Sequence, residues 1–382
     1  MDADTRQALL AWCAHQRGWL LETIEALVRI ESPSTDKSAV DRCGEALRAR
    51  LAEAGATVTT IERGDRGNHL RADFEGRGPR VLILGHFDTV WPVGQLSRMP
   101  LRVVDGRLHG PGVFDMKGGL GVALCAMRAA RAVLPGALPA VTMLLTSDEE
   151  IGSGSSRALI EATARECRAV LVLEPSLPHG GVKTSRKGVG EFALVVHGLS
   201  AHAGLDPDKG ASAIHELAHQ IVAIEAMQDR EHGLTLNVGT VAGGSRTNVV
   251  ADRAAAMIDV RVPTLAAAAS IEARMMALRP RSPRTRLEIT GGISRPPLER
   301  TPAVVELYAT ARAVAADLGV DLPEGAAGGG SDGNFTAALG VPTLDGLGPR
   351  GDGAHADHEH VLIEDLPWRA AFVAALLWRL IE

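Results

Sequence analysis

Apolar residues recur at helical spacing over residues 5–30 and again over 38–54, where Gly55 offers a natural stop before the alternating run TVTTIE. Two helices are therefore expected to open the chain. Beyond them, short β-branched runs alternate with helical patterns: VLILGH at 81–86, a Gly- and Ala-rich helix from 118, VTMLLTS at 141–147, a helix from about 154, and AVLVLEP at 169–175. This rhythm predicts an α/β domain, in which ligands gather at the carboxyl ends of the strands. His86, Glu149, Glu150 and Glu174 all fall at those ends.

Near residue 188 the pattern changes to an amphipathic strand (EFALVVHG), a helix at 209–229, strands near 234–241 and 254–262, a helix at 265–278 and the strand TRLEIT. The order strand, helix, strand, strand, helix, strand is that of a ferredoxin-like α+β unit. After GGISRPP the α/β character returns, with a helix from 302, the turn-rich EGAAGGGSDGNF, a short strand VPTLD and a closing helix at 365–381. The expected architecture is a discontinuous α/β domain at 1–187 and 294–382, interrupted by an α+β domain at 188–293.

Composition narrows the function. The chain of 382 residues is 46% hydrophobic and 23% charged, as in an ordinary globular enzyme, and is long enough for two cores. Aromatics at 3% argue against base-stacking platforms, and a net charge of -6 argues against polyanions, so no nucleic-acid partner is expected. Cys13, Cys43, Cys125 and Cys167 are widely spaced in apolar or helical contexts, which reads as reduced core thiols and a cytoplasmic location. The N-terminus reads as an amphipathic helix rather than a signal peptide, and no stretch reaches the roughly 20 apolar residues that span a membrane.

Several segments carry chemistry. In GHFDTVWPVG, His86 ends an apolar strand and Asp88 follows two positions later, where a carboxylate can fix a ligating histidine's tautomer; a histidine that merely closes a strand fits equally well. In HGPGVFDMKGG, Asp115 stands between glycine turns ahead of a helix, suited to bridging two cations or to capping that helix. TSDEEIGS places three acids after an apolar strand. Glu149 and Glu150 project differently, so one can bind metal while the other takes a proton from water, unless the segment is a solvated acidic loop. Glu174 closes a nearly all-apolar strand and needs a partner, for which a cation is the simplest choice. In GDGAHADHEHV, His355, His358 and His360 crowd a short segment, and chemistry alone does not separate them. Imidazoles together with carboxylates from successive strand ends suit a pair of zinc ions better than magnesium.

The ordered series HFDTV, GPGVFDMKGG, SDEEIGS, LEPS, GLSAHAG, TNVV, DVRV, GGGSDGNF and GAHADHEHV resembles the dinuclear-zinc peptidases and deacylases. That family includes bacterial glutamate carboxypeptidase, acetylornithine deacetylase, succinyl-diaminopimelate desuccinylase and aminoacylase. The resemblance spans nearly the whole chain. It implies two Zn2+ per subunit, with Co2+ or Mn2+ as substitutes: His86 and Glu174 on one, Glu150 and His355 on the other, and Asp115 bridging. Glu149 resembles the general base, and Asp88 the partner that orients His86. The family's Gly-x-His-x-Asp pattern, met by Gly353, His355 and Asp357, favours His355 over His358 and His360.

The resemblance also implies a cis peptide at Asp115-Met116 and makes the inserted domain a lid and dimerisation domain, hinged near 186–190 and 291–295. His202 in GLSAHAG matches a histidine that reaches the scissile carbonyl, often from the partner subunit of a homodimer. By sequence alone it reads as an ordinary loop histidine. Asn248, Arg261 and Arg295 match substrate-contacting positions, the two arginines reading equally as a strand-edge charge and a solvated loop cation. Asp332 and Asn334 would help shape the pocket. The implied activity is hydrolysis of an amide in a small peptide or N-acyl amino acid, closest to glutamate carboxypeptidase. The alternatives are an N-acyl-amino-acid deacylase and a catalytically idle binding relative.

Overall fold

The computed structural model describes residues 1–381 except 135 and 137. In chain order the elements begin with α1 (Ala3–His15), α2 (Arg17–Arg29), α3 (Lys37–Glu53), β1 (Thr57–Ile61), β2 (His69–Phe74) and β3 (Arg77–His86). Then come β4 (Arg102–Val104), β5 (Arg107–His109), α4 (Gly118–Val133), β6 (Pro139–Thr146), α5 (Arg157–Arg165), β7 (Ala169–Val172) and β8 (Val182–Arg186). The next stretch holds β9 (Gly188–His197), α6 (Ala213–Glu225), β10 (Thr235–Gly243), β11 (Arg253–Val262), α7 (Leu265–Met276) and β12 (Arg286–Arg295). The chain closes with α8 (Pro302–Asp317), β13 (Glu324–Ala327), α9 (Gly333–Ala338), β14 (Thr343–Leu344), β15 (Gly351–Asp352), β16 (His360–Leu362) and α10 (Asp365–Arg379).

The chain divides into two compact units. The first holds Met1–Ser185, Arg300–Ala326 and Ser331–Glu382; the second holds Arg186–Glu299 and Ala327–Gly330.

The first unit is built on a six-stranded sheet of order β1-β2-β6-β3-β7-β14, with β6, β3, β7 and β14 running parallel. Strands in such a sheet are covered on both faces, so their continuous apolar runs are split by the two-residue period. Val81 and Ile83 face a core that includes residues of α1, α2, α4 and α10, while Leu82 and Leu84 face a smaller cluster with Ile160, Ala164 and Phe335. The alternating directions pin β3, and its end at His86 lies in register with Thr146 at the end of β6.

Three helices, not two, open the chain. Gln16 (φ -80, ψ 5) separates α1 from α2, and both halves bury residues in the same core: Leu9 and Cys13 from the first, Leu20, Ile24, Leu27 and Val28 from the second. Apolar periodicity runs through such a break because it reports which residues are buried, not whether the axis continues.

The second unit is an antiparallel sheet of order β10-β11-β9-β12, with α6 and α7 contributing to its core. Numbered within the unit, that order is 2-3-1-4, as expected of a ferredoxin-like split unit. Along β9, Phe192, Leu194 and Val196 are buried, alternating with the more exposed Glu191, Ala193, Val195 and His197. The strand expected at TRLEIT runs on beyond it, because Gly291, Gly292 and Ile293 pair with Phe192, Glu191 and Gly190. Arg186 and Leu298 then exchange backbone hydrogen bonds of 3.0 Å, which carries the unit to Glu299.

Candidate metal centre

His86 sits at the carboxyl end of β3 and is buried. Its Nδ1 lies 3.0 Å from the carbonyl oxygen of Asp88. A carbonyl only accepts, so Nδ1 carries the proton and Nε2 faces away from it, 3.1 Å from Asp115 Oδ1 and 3.5 Å from Glu174 Oε1. The main chain of Asp88 thus orients the ring, and its carboxylate has further work. It accepts the Ser34 hydroxyl at 2.6 Å and the backbone N–H groups of Glu149 and Glu150 at 3.3 and 3.2 Å. One buried aspartate therefore links the histidine to the glutamate pair.

Asp115 lies in a wide turn, Val113–Lys117, between β5 and α4 and departs from helical geometry there. The Asp115–Met116 peptide is cis. Gly112 opens the turn at φ 71, where any Cβ would also stand 2.5 Å from Thr89 Cγ2. The two oxygens of Asp115 are divided. Oδ1 faces His86, and Oδ2 lies 3.5 Å from His355 Nε2, which is itself 3.1 Å from Glu150 Oε2.

Of the three crowded histidines, His355 is the one turned to these carboxylates, from a left-handed backbone at φ 61. His358 is exposed and lies 3.9 Å from Asp352, whereas the His360 ring lies tilted against that of His109, with centroids 5.1 Å apart. His86, Asp115 and Glu150 each offer a ligand atom, and those atoms lie within 4.8 Å of one another. Glu174 is buried two residues beyond β7 rather than at its last position.

Electrostatics favour a cation among these groups. Burial alone would lower the pKa of His86, but the carboxylates of Asp115, Asp88 and Glu174 hold it well above the ordinary value. Asp115 and Glu150 raise His355 to about 10. Burial would raise Asp115, yet the two histidines keep it well below the usual carboxylate range. Glu150 is raised, first by burial and then by the charge of Asp115, and its buried Oε1 has no hydrogen-bond partner among the described residues. A metal ion would satisfy that oxygen and relieve the repulsion, so the donor set fits one.

Asp332 and Asn334, expected to shape a pocket, are buried and tied inside the first unit. Asp332 accepts the hydroxyls of Thr146, at 3.0 Å, and Ser153, which brace the loop bearing Glu149 and Glu150. Asn334 Oδ1 accepts the N–H of Ser331 at 3.0 Å. The sequence reading missed Glu359, a buried carboxylate that accepts hydrogen bonds from the Asp115 turn. Its only signal was an acid amid histidines before an apolar strand.

In the second unit, His202 and Asn248 come together: Ala203 N donates to Asn248 O at 3.0 Å, and His202 pairs with Val249. The Nδ1 of His202 accepts the amides of Gly204 and Leu205, each at 3.1 Å, so Nε2 carries the proton as an exposed donor. Arg261 and Arg295 instead share a row, both in register with Val189 at the start of β9. Arg261 is held in a fork by Asp259, with two bonds of 2.9 Å, and Arg295 is buried with its Cδ where a Cβ on residue 330 would fall 2.7 Å away. His197 ends β9 just before the His202 loop, eight residues from Val189, so the two groups lie at opposite ends of the sheet, roughly 26 Å of strand apart.

Residues 82–379 match the model of peptidase family M20/M25/M40. The chain belongs to this family. It is 30% identical over 372 residues to carboxypeptidase G2 of Pseudomonas sp. (strain RS-16), covering 94% of this chain and 88% of that one. With succinyl-diaminopimelate desuccinylase of Marinobacter nauticus it shares 29% identity over 364 residues, 91% and 94% of the two chains. The crystal structure of aminopeptidase PepT from Bacillus cereus superposes with a TM-score of 0.80 at 21% identity, covering 96% and 99%, which shows the common fold. The M20 chain is thus a hydrolase of the peptidase class, with candidate metal ligands in its first unit. Among the described residues, no helix is long and apolar enough to cross a membrane.

Proposed function

We propose that the protein is a dinuclear zinc amidohydrolase of carboxypeptidase type, releasing a C-terminal amino acid, glutamate first among candidates, from an N-acyl or short peptide substrate. The observation that carries the metal reading is the division of the Asp115 carboxylate, one oxygen facing His86 and the other facing His355. His86 with Glu174 and His355 with Glu150 then make two donor sets that share Asp115. Zinc ions held there would supply Lewis acidity and lower the pKa of a bound water.

The chain's own residues do the rest. Glu149, beside Glu150 on the loop tied to Asp88, takes the proton from the attacking water and returns it to the leaving amine. His202 offers its Nε2–H to the developing oxyanion. On the family resemblance, His202 is read as serving the site from the partner subunit of a homodimer and Arg295 as meeting a substrate carboxylate.

The carboxypeptidase reading is supported by the 30% likeness to carboxypeptidase G2. A second reading, an N-acyl-amino-acid deacylase, is favoured by the similar likeness to the desuccinylase and uses the same ligands. The test is a panel of N-acyl-glutamates, dipeptides, N-acetyl and N-succinyl amino acids with zinc-reconstituted protein, alongside Glu149→Gln. Turnover should be greatest on N-acyl-glutamates, and the variant should lose about 10²–10⁴-fold in kcat at unchanged zinc content. Preference for N-acetyl or N-succinyl amino acids would select the deacylase; undiminished turnover by Glu149→Gln would remove Glu149 as the base.

A further inference from the structure

Glu359 is buried, and its two carboxylate oxygens receive four donors. Oε2 accepts Trp91 Nε1 and Gly112 N, each at 2.8 Å. Oε1 accepts Phe114 N at 2.9 Å and Asp115 N at 3.0 Å. An ionised carboxylate is acceptor-only with about four lone-pair sites, so the group and its surroundings match. Successive amides curled round one anion form a nest, here with the anion supplied by the chain itself.

The donors lie on two segments that carry candidate metal ligands, and Glu359 lies on a third. Trp91 follows His86 and Asp88 on the loop after β3, and the three amides belong to the Asp115 turn. Glu359 is in the His355 segment, where its own N–H donates to Ala356 O at 3.0 Å. One of the amides is that of Asp115 itself. Releasing it would shift both carboxylate oxygens relative to the two histidines, and a displacement on the order of 1 Å is enough to degrade a ligand set.

We propose that Glu359 is a positioning residue for the metal site, holding the Asp115 turn so that its carboxylate divides between His86 and His355. This rests on the reading of Asp115 as a shared ligand. In Glu359→Gln, the side-chain NH2 must face two of the four donors. Glu359→Asp keeps an acceptor-only group but falls one methylene short.

The experiment measures zinc affinity of the full-length protein by competition with a chromophoric chelator, together with thermal unfolding in chelator and kcat and KM on an N-acyl-glutamate. Glu359→Gln should bind zinc about 10–100-fold more weakly and lose kcat, with KM within about twofold, while still unfolding cooperatively. Glu359→Asp should fall between it and the parent. Zinc affinity within about twofold of the parent in a folded Glu359→Gln protein would overturn the proposal. If that variant does not fold, Glu359→Asp decides in the same way: weakened binding supports the role and parental binding overturns it. Asp115→Ala separates the underlying reading. Were it to bind zinc as the parent does, Asp115 would not be a ligand and the proposal would fall with that reading, whatever Glu359→Gln shows.

Discussion

Replacing Asp88 with asparagine should uncouple His86 from the glutamate pair, and the hydrogen bonds set the cost. The carboxylate accepts Ser34 Oγ and Glu150 N on Oδ2 and Glu149 N on Oδ1. If the asparagine NH2 replaces Oδ1, the Glu149 amide faces another donor. If it replaces Oδ2, Ser34 can turn its hydroxyl to Thr89 O, 3.4 Å away, but the Glu150 amide is stranded. Either orientation takes the Asp88 acceptor from one glutamate amide. An unsatisfied buried donor costs about 1–3 kcal/mol, and these amides are only partly buried, so a loss at the low end, about 1 kcal/mol, is expected. The negative charge 3.4 Å from His86 Nδ1 is also removed, and zinc affinity should fall about 10–100-fold. Urea unfolding of Asp88→Asn and a zinc competition titration measure both quantities. Stability within about 0.5 kcal/mol of the parent, together with parental zinc affinity, would refute the account of Asp88 as the link.

Two glycines should respond in opposite ways to alanine. At Gly119 a Cβ would stand 2.0 Å from the carbonyl oxygen of Leu173, so Gly119→Ala must push α4 off the end of the sheet and should cost about 2 kcal/mol or more in urea unfolding. At Gly18, in the first turn of α2, nothing lies within 4 Å, and Gly18→Ala should stabilise by about 0.5 kcal/mol. In the second unit, buried Glu216 accepts bonds from Gln220, Arg281, Ser282 and Thr285. Burial would raise its pKa, but these donors hold it below the ordinary 4.5. Its stabilisation is therefore present above pH 4.5 and lost as pH falls through the lower folded value, and Glu216→Gln should flatten the acid limb of a thermal-unfolding profile.

Much of this fold was legible in the sequence because the decisive forces there are local and periodic. The two-residue alternation in VLILGH and the helical spacing around it specify a sheet buried on both faces, and with it the strand end that carries His86. Where periodicity is silent the reading slipped. It ran through Gln16, and it ended the last strand of the second unit at TRLEIT although Gly291, Gly292 and Ile293 go on to pair along β9. Asp332 was expected at a pocket from the family resemblance alone; the fold buries it, where it accepts hydrogen bonds from Thr146 and Ser153.

The inventory is already written in residue order: the succession of elements in the two units, the acids at strand ends, and a motif series that resembles one hydrolase family. Tertiary structure decided the pairings, such as which Asp115 oxygen faces which histidine and which of three neighbouring histidines meets Glu150. It also decided that Glu359, 244 positions from Asp115, holds that residue's amide. Periodic burial tells which side of an element faces inward, but a hydrogen bond between segments depends on where packing brings two loops, and no local pattern encodes that distance.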